Sequence, residues 1–174
     1  MGHDMNTALL VIDMQNDYLC ENRMKRFAYD TQGLVGRVNR IIHQYNAEGH
    51  DVIYIRHIIQ NLPTHRLLFG YSIAGTEGAE IYNGIEIVSE HCFDKLFGDA
   101  LTNKQLLGMV HEKGYEMLHL CGLDEFGCVT ETACGAVKRG IPVQIVRSGT
   151  ATVQPEKKIA KQRARLEKAG VAYI

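Results

Sequence analysis

Predominantly apolar runs of strand length recur along this chain, at residues 8–12, 52–55, 117–121, 142–146 and 171–174, and segments of helical period lie between them. The clearest such segment puts Leu34, Val35, Val38, Ile41, Ile42 and Tyr45 on one stripe of a helix that Gly49 would close. Three more are marked by Leu106, Leu107 and Val110 ahead of Gly114, by residues 129–137 ahead of Gly140, and by Ile159, Leu166 and Ala169 ahead of Gly170. Strands that are apolar along their length, rather than alternately, are buried on both faces, and helical crossovers that cover a sheet make its strands run parallel. The pattern predicts one α/β domain over residues 1–174, Rossmann-like and doubly wound, with a mainly parallel sheet and helices on both faces. Residues 1–6 are read as a loose or appended end, because Met5 could itself be a start.

Charge narrows the possible partners. Nineteen basic residues against twenty acidic ones give a formal net charge of -1. That leaves no surplus to hold a phosphate backbone or an anionic membrane, so neither nucleic acid nor a membrane is expected as partner. The apolar run near the N-terminus is too short to span a bilayer. Cys20, Cys92, Cys121, Cys128 and Cys134 form no CxxC pair and no zinc-finger spacing, which fits reduced thiols in a cytoplasmic protein. The basic stretch 157–168 reads as a solvated helix face. Residues 14–30 and roughly 58–86 fall outside the strand and helix rhythm. Connections this long are usually functional, and ligands of open α/β sheets collect beyond the carboxyl ends of strands, so both loops are expected to wall a site for a small molecule.

Three polar residues stand out against that frame: Asp13 at the end of the first run, Lys95 in mid-chain, and Cys128 shortly after the run that ends at Cys121. Singly, each has an ordinary reading as a turn cap, a solvated cation and a buried small side chain. Jointly they would place an acid, a cation and a thiol at one sheet edge. Cys128 would open the helix over residues 129–137, where the helix dipole and a nearby Lys95 ammonium favour a thiolate, and Asp13 could take the thiol proton and return it to a leaving group. Free backbone N–H groups at that helix start could face a developing oxyanion. Cys134 and Cys121 read as core, and Cys20 and Cys92 lack such a setting. Gln15, Tyr18 and Phe126, close to these residues in sequence, are candidates to contact substrate.

The run Leu10-Val11-Ile12-Asp13-Met14-Gln15-Asn16-Asp17-Tyr18 resembles the opening of the isochorismatase-like cysteine hydrolases. So does Cys121-Gly122-Leu123-Asp124-Glu125-Phe126-Gly127-Cys128-Val129, followed by Thr132-Ala133 and Lys138-Arg139-Gly140, for the nucleophile segment of that family. Phe93-Asp94-Lys95, with Asp99-Ala100-Leu101 and Leu106, is similar to its lysine segment; a second alignment would put Glu90 there, but only Lys95 keeps the spacing to Ala100 and Leu106. The resemblance covers residues 7–174. It implies a six-stranded parallel sheet and an Asp-Lys-Cys triad, here Asp13, Lys95 and Cys128, that attacks amide or related carbon–nitrogen bonds through an acyl-enzyme. It also implies a cis peptide between Leu123 and Asp124, an oxyanion hole built from the Asp124 and Cys128 amides, and assembly as a homo-oligomer.

Departures from the family pattern are informative. Where the family has a small residue and a threonine or serine, this chain has Asp124 and Glu125, which would add negative charge near a thiolate. A catalytically weak or inactive relative acting as a binding or assembly module is therefore the competing reading. Family members that bind a metal do so through an Asp-x-His motif and a further histidine. Here the stretch reads Arg56-His57-Ile58-Ile59, with His65 beyond, and lacks the carboxylate, so no metal and no other cofactor is expected.

Overall fold

The computed structural model describes residues 5–174; Gly2, His3 and Asp4, read above as an appended end, lie outside the described residues. Asn6, expected in that loose end, is instead tied down. Its amide donates to the Glu116 carboxylate and its side-chain nitrogen to the carbonyls of Lys113 and Gly114.

The strands are β1 (Thr7–Ile12), β2 (Asp51–His57), β3 (Cys92–Lys95), β4 (Met117–Gly122), β5 (Val143–Thr150) and β6 (Ala172–Tyr173). They form one sheet in the order β3-β2-β1-β4-β5-β6, and every neighbouring pair is parallel. Chain order reverses direction across the sheet between β1 and β4, the place where open α/β sheets leave a crevice beyond their carboxyl ends. The apolar runs account for five strands. β3 was not visible as an apolar run because it is an edge strand: Cys92 and Asp94 are exposed and only Lys95 is buried.

The helices are α1 (Asn16–Leu19), α2 (Thr31–Ala47), α3 (Pro63–Leu68), α4 (Lys104–Lys113), α5 (Thr130–Lys138) and α6 (Glu156–Lys168). On one face of the sheet, Leu34, Val38, Ile42 and Tyr45 of α2 pack on Leu9, Val11, Val52 and Tyr54. On the other, Leu106 and Val110 of α4, Ala133 and Ala136 of α5, and Leu166 of α6 pack on Leu10, Ile12, Ile53 and Leu120. Alternate residues of β1 thus serve opposite cores, which is why its sequence is apolar throughout. The helix signals were local: Asp30 caps α2 by accepting from the Gly33 amide, Asn103 caps α4, and Gly114 ends α4 in the left-handed conformation. No helix among the described residues is long and apolar enough to cross a membrane.

Candidate active site

Asp13, Lys95 and Cys128 meet at the carboxyl edge of the sheet, brought there by three different strands. Asp13 follows the wholly buried β1, with its amide donating to the Ile55 carbonyl at 2.9 Å and its backbone in the left-handed region at φ 53°. Asp is one of the few side chains that tolerates that conformation. Lys95 ends β3, whose register is held by a bidentate ion pair between directly opposed neighbours: Arg56 Nε and Nη2 lie 2.8 and 3.1 Å from the two Asp94 carboxylate oxygens. Because successive strand residues face opposite ways, fixing Asp94 outward turns Lys95 inward.

Cys128 comes after β4 through a turn that depends on Gly122. Its φ is 105°, and a Cβ there would overlap the Ile12 backbone carbonyl. The helix that carries Cys128 starts earlier than the sequence suggested, as a wide turn over Glu125–Val129 that runs into α5. Asp124 is its N-cap and accepts from the Phe126 amide at 3.0 Å, while the Glu125 amide donates to the Ala151 carbonyl. The Glu125 and Phe126 amides are thereby engaged, whereas the Asp124 amide, one of the two expected to face an oxyanion, has no acceptor among the described residues. The cis peptide expected between Leu123 and Asp124 is absent: every peptide among the described residues is trans, and the reversal is made by Gly122 in positive φ.

The buried Lys95 ammonium donates to Asp13 Oδ2 at 2.9 Å and to Cys128 Sγ at 3.1 Å. Burial alone would lower the Lys95 pKa, but Asp13 and Cys128 beside it hold it above the ordinary value. The thiol is pushed up to about 12, by burial first and then by the Asp13 carboxylate, with Lys95 opposing. Burial and Asp13 thus work against the thiolate expected from the helix start, and Lys95 works for it. Asp13 Oδ1 is buried and has no hydrogen-bond partner among the described residues. Glu90, the rival for the Lys95 position, is exposed and lies outside the cavity lining.

A cavity of about 180 Å³ opens onto Asp13 and Cys128. Its walls come from the two long connections, as the sequence implied: Tyr18, Phe27 and Tyr29 from residues 14–30, and Tyr71 from residues 58–86. Leu123, Asp124 and Gly127 complete it on the nucleophile side. The Tyr18 hydroxyl is held by Ser72 Oγ at 2.8 Å and His57 Nδ1 at 3.2 Å. Tyr29 donates to Asp124 at 3.0 Å. Of the three candidate substrate contacts only Tyr18 lines the cavity. Gln15 is fully buried and bonds the His57 backbone and the Ala79 carbonyl, and so stitches β1 to β2. Phe126 packs into the core under α5. The aromatic wall was missed because Phe27, Tyr29 and Tyr71 lie in irregular segments with no period to read.

The two carboxylates that break the family pattern differ in placement: Asp124 lines the cavity beside Cys128, whereas Glu125 is 1% exposed and lies outside that lining. Glu125 is turned inward, to Arg163 and Thr150, and Asp124 is engaged as a cap. His57 has both ring nitrogens engaged, with Tyr18 and the Leu96 carbonyl, and its pKa is lowered by burial and by Lys95. His65 bonds the Gln60 carbonyl. Among the described residues no three His, Cys, Asp or Glu side chains are grouped to hold a metal ion. All five cysteines are unpaired.

Comparison with known proteins gives a consistent picture. The isochorismatase domain family matches residues 7–173. The uncharacterized isochorismatase family protein YddQ of Bacillus subtilis is 29% identical over 158 residues, 89% of this chain and 84% of that protein. A probable inactive nicotinamidase of Arabidopsis thaliana is 28% identical over 169 residues, 87% of this chain and 83% of its own length. The crystal structure of the nicotinamidase/pyrazinamidase PncA from Bacillus subtilis superposes with a TM-score of 0.83 at 22% identity, covering 97% of this chain and 99% of that one.

Proposed function

The chain belongs to the isochorismatase family, and on that footing we propose that it is a cysteine hydrolase that cleaves a small amide or related carbon–nitrogen bond through a thioester acyl-enzyme. The observation that carries this reading is the single ammonium of Lys95 within hydrogen-bond reach of both Asp13 and Cys128 at the floor of a cavity. As Cys128 Sγ attacks the substrate carbonyl carbon, its proton passes to the unpartnered oxygen of Asp13, so the high resting thiol pKa is overcome within the attack itself. Lys95 stabilises the charge on sulfur and carboxylate throughout. The carbonyl oxygen, now negative, is received by the Asp124 and Cys128 amides. Collapse breaks the carbon–nitrogen bond, and Asp13 returns the proton to the leaving nitrogen. Water then attacks the thioester and gives a proton to Asp13; collapse breaks the carbon–sulfur bond, Asp13 passes that proton to the departing sulfur, and the acid leaves with the Cys128 thiol restored.

A cavity this small suits a substrate of few heavy atoms. Unpaired cysteines suit a reducing compartment such as the cytoplasm. A second reading, a catalytically silent binding module, is favoured by the elevated Cys128 thiol and by the Arabidopsis relative named as inactive. Ammonia release from a panel of small amides, ureides and carbamates, with intact-protein mass measured during turnover, decides between them. Hydrolysis with a mass adduct on Cys128 is expected. A folded protein that releases no ammonia and gains no adduct across the panel overturns the hydrolase reading.

A further inference from the structure

We infer that Arg26 is a specificity-determining residue, holding the carboxylate of a short acidic amide at the mouth of the cavity. The inference deepens the hydrolase reading and rests on it for the word substrate, though not for the anion site itself. Arg26 is exposed, and its guanidinium carbon lies 5.0 Å from the centroid of Phe27 and 4.8 Å from that of Tyr71. Both rings line the cavity. They are themselves locked edge to face, 5.4 Å apart, with Tyr18 packed 4.8 Å from Phe27. The cation is thus fixed over the aromatic wall rather than waving in solvent.

A guanidinium held against aromatic rings by its charge does not spend its N–H donors on them, and these donors form a fork that matches a carboxylate. Arg26 has no acidic partner and no hydrogen-bond acceptor among the described residues. Arg23 in the same loop is the instructive contrast. It spends its donors on the carbonyls of Cys20, Phe27 and Tyr29 at 2.9, 2.6 and 2.9 Å, bracing the segment that presents Arg26. Inside the cavity the Lys95 charge is already matched by Asp13. An incoming anion therefore finds unspent positive charge at Arg26, against the two rings that wall the cavity onto which Cys128 opens. A cation there favours a monoamide of a short dicarboxylic acid, or a carboxylate-bearing urea, over a neutral amide.

The test uses two matched pairs of probes. Cys128 is alkylated with iodoacetate and with iodoacetamide, equal in size and different in charge, in the wild type, Arg26→Gln and Arg26→Lys, with adducts counted at Cys128 by peptide mass. The iodoacetate-to-iodoacetamide rate ratio should fall about threefold in Arg26→Gln, as an exposed ion pair warrants, and stay near wild type in Arg26→Lys. In ~1 M salt the wild-type ratio should fall toward that of Arg26→Gln. In turnover, the ratio of kcat/KM for succinamate over butanamide should drop about tenfold in Arg26→Gln. An unchanged alkylation ratio, or equal slowing of both reagents, overturns the proposal and leaves Arg26 as a prop for the aromatic wall. If neither amide is hydrolysed while the alkylation ratio shifts as expected, the hydrolase reading fails and the anion site stands.

Discussion

Arg163 closes on both carboxylate oxygens of Glu125, with Nε 2.7 Å from Oε1 and Nη2 2.8 Å from Oε2, and so fastens α6 to the turn that presents Cys128. Glu125 is 1% exposed, and Thr150 adds a third contact at 3.3 Å. α6 otherwise buries only Leu166, so this ion pair is a principal tie between that helix and the rest of the fold.

Arg163→Ala should accordingly leave a buried, unmatched carboxylate. The expected loss is about 3 kcal/mol, at the low end for a broken buried pair because Arg163 is partly exposed, and the melting temperature should fall by roughly 6 to 12 °C. Glu125→Leu combined with Arg163→Leu, which removes both charges, should recover part of it. Thermal unfolding followed by circular dichroism measures both. A double variant less stable than the single one would contradict the account.

The pH dependence of Cys128 alkylation tests the electrostatics around the sulfur. Only the thiolate reacts, so a thiol held at about 12 should label slowly near neutrality and faster as pH rises. Asp13 raises this pKa, so Asp13→Asn should move the profile to lower pH while abolishing turnover, since the proton acceptor is gone. Lys95 lowers it, so Lys95→Ala should move the profile up, and the exposed Glu90→Ala should leave it in place. A downward shift in Glu90→Ala with no change in Lys95→Ala would assign the middle segment wrongly.

Cys128 is half-buried at the cavity wall rather than in the core. Cys128→Ser should therefore keep the fold, with a stability change of about 1 kcal/mol or less as for substitutions away from packed cores, and lose turnover. Residual activity beyond a trace would remove the covalent mechanism. Unfolding would mark Cys128 as a packing residue.

Exhaustive dialysis against a chelator should leave amide hydrolysis unchanged, because His57 is committed to Tyr18 and the Leu96 carbonyl and the proposed chemistry runs on the triad alone. Loss of activity restored by zinc, iron or manganese would point first to His57 and His65.

What could be read from the sequence was whatever obeys a period or a motif. β1, β2, β4 and β5 are buried on both faces and so announce themselves. β3 does not, because its outward residues are the polar Asp94 and the exposed Cys92, and of its two inward ones only Phe93 is apolar, the other being Lys95 itself. Asp13, Lys95 and Cys128 stand in segments that resemble family motifs, which is what singles them out in the sequence, and the structure brings all three together. The cavity wall was not legible, because whether Tyr71 or Phe27 faces a ligand depends on long-range packing between irregular segments. Gln15 misled for a related reason: its motif position says that it matters, but not that its amide is consumed in joining β1 to His57. Nor is the burial that pushes the Cys128 thiol up legible, since it comes from residues distant in sequence.

The division between Asp13 and Cys128, rooted in adjacent central strands, and the tyrosines and Phe27, hung on segments outside the sheet, separates two engineering problems. Loops can be lengthened or exchanged at small entropic cost, whereas a central parallel strand cannot shift register without exchanging one core for the other. Residues 14–30 and 58–86 can therefore be grafted or randomised as a cassette, with the reacting groups serving as a fixed socket into which different recognition surfaces are plugged.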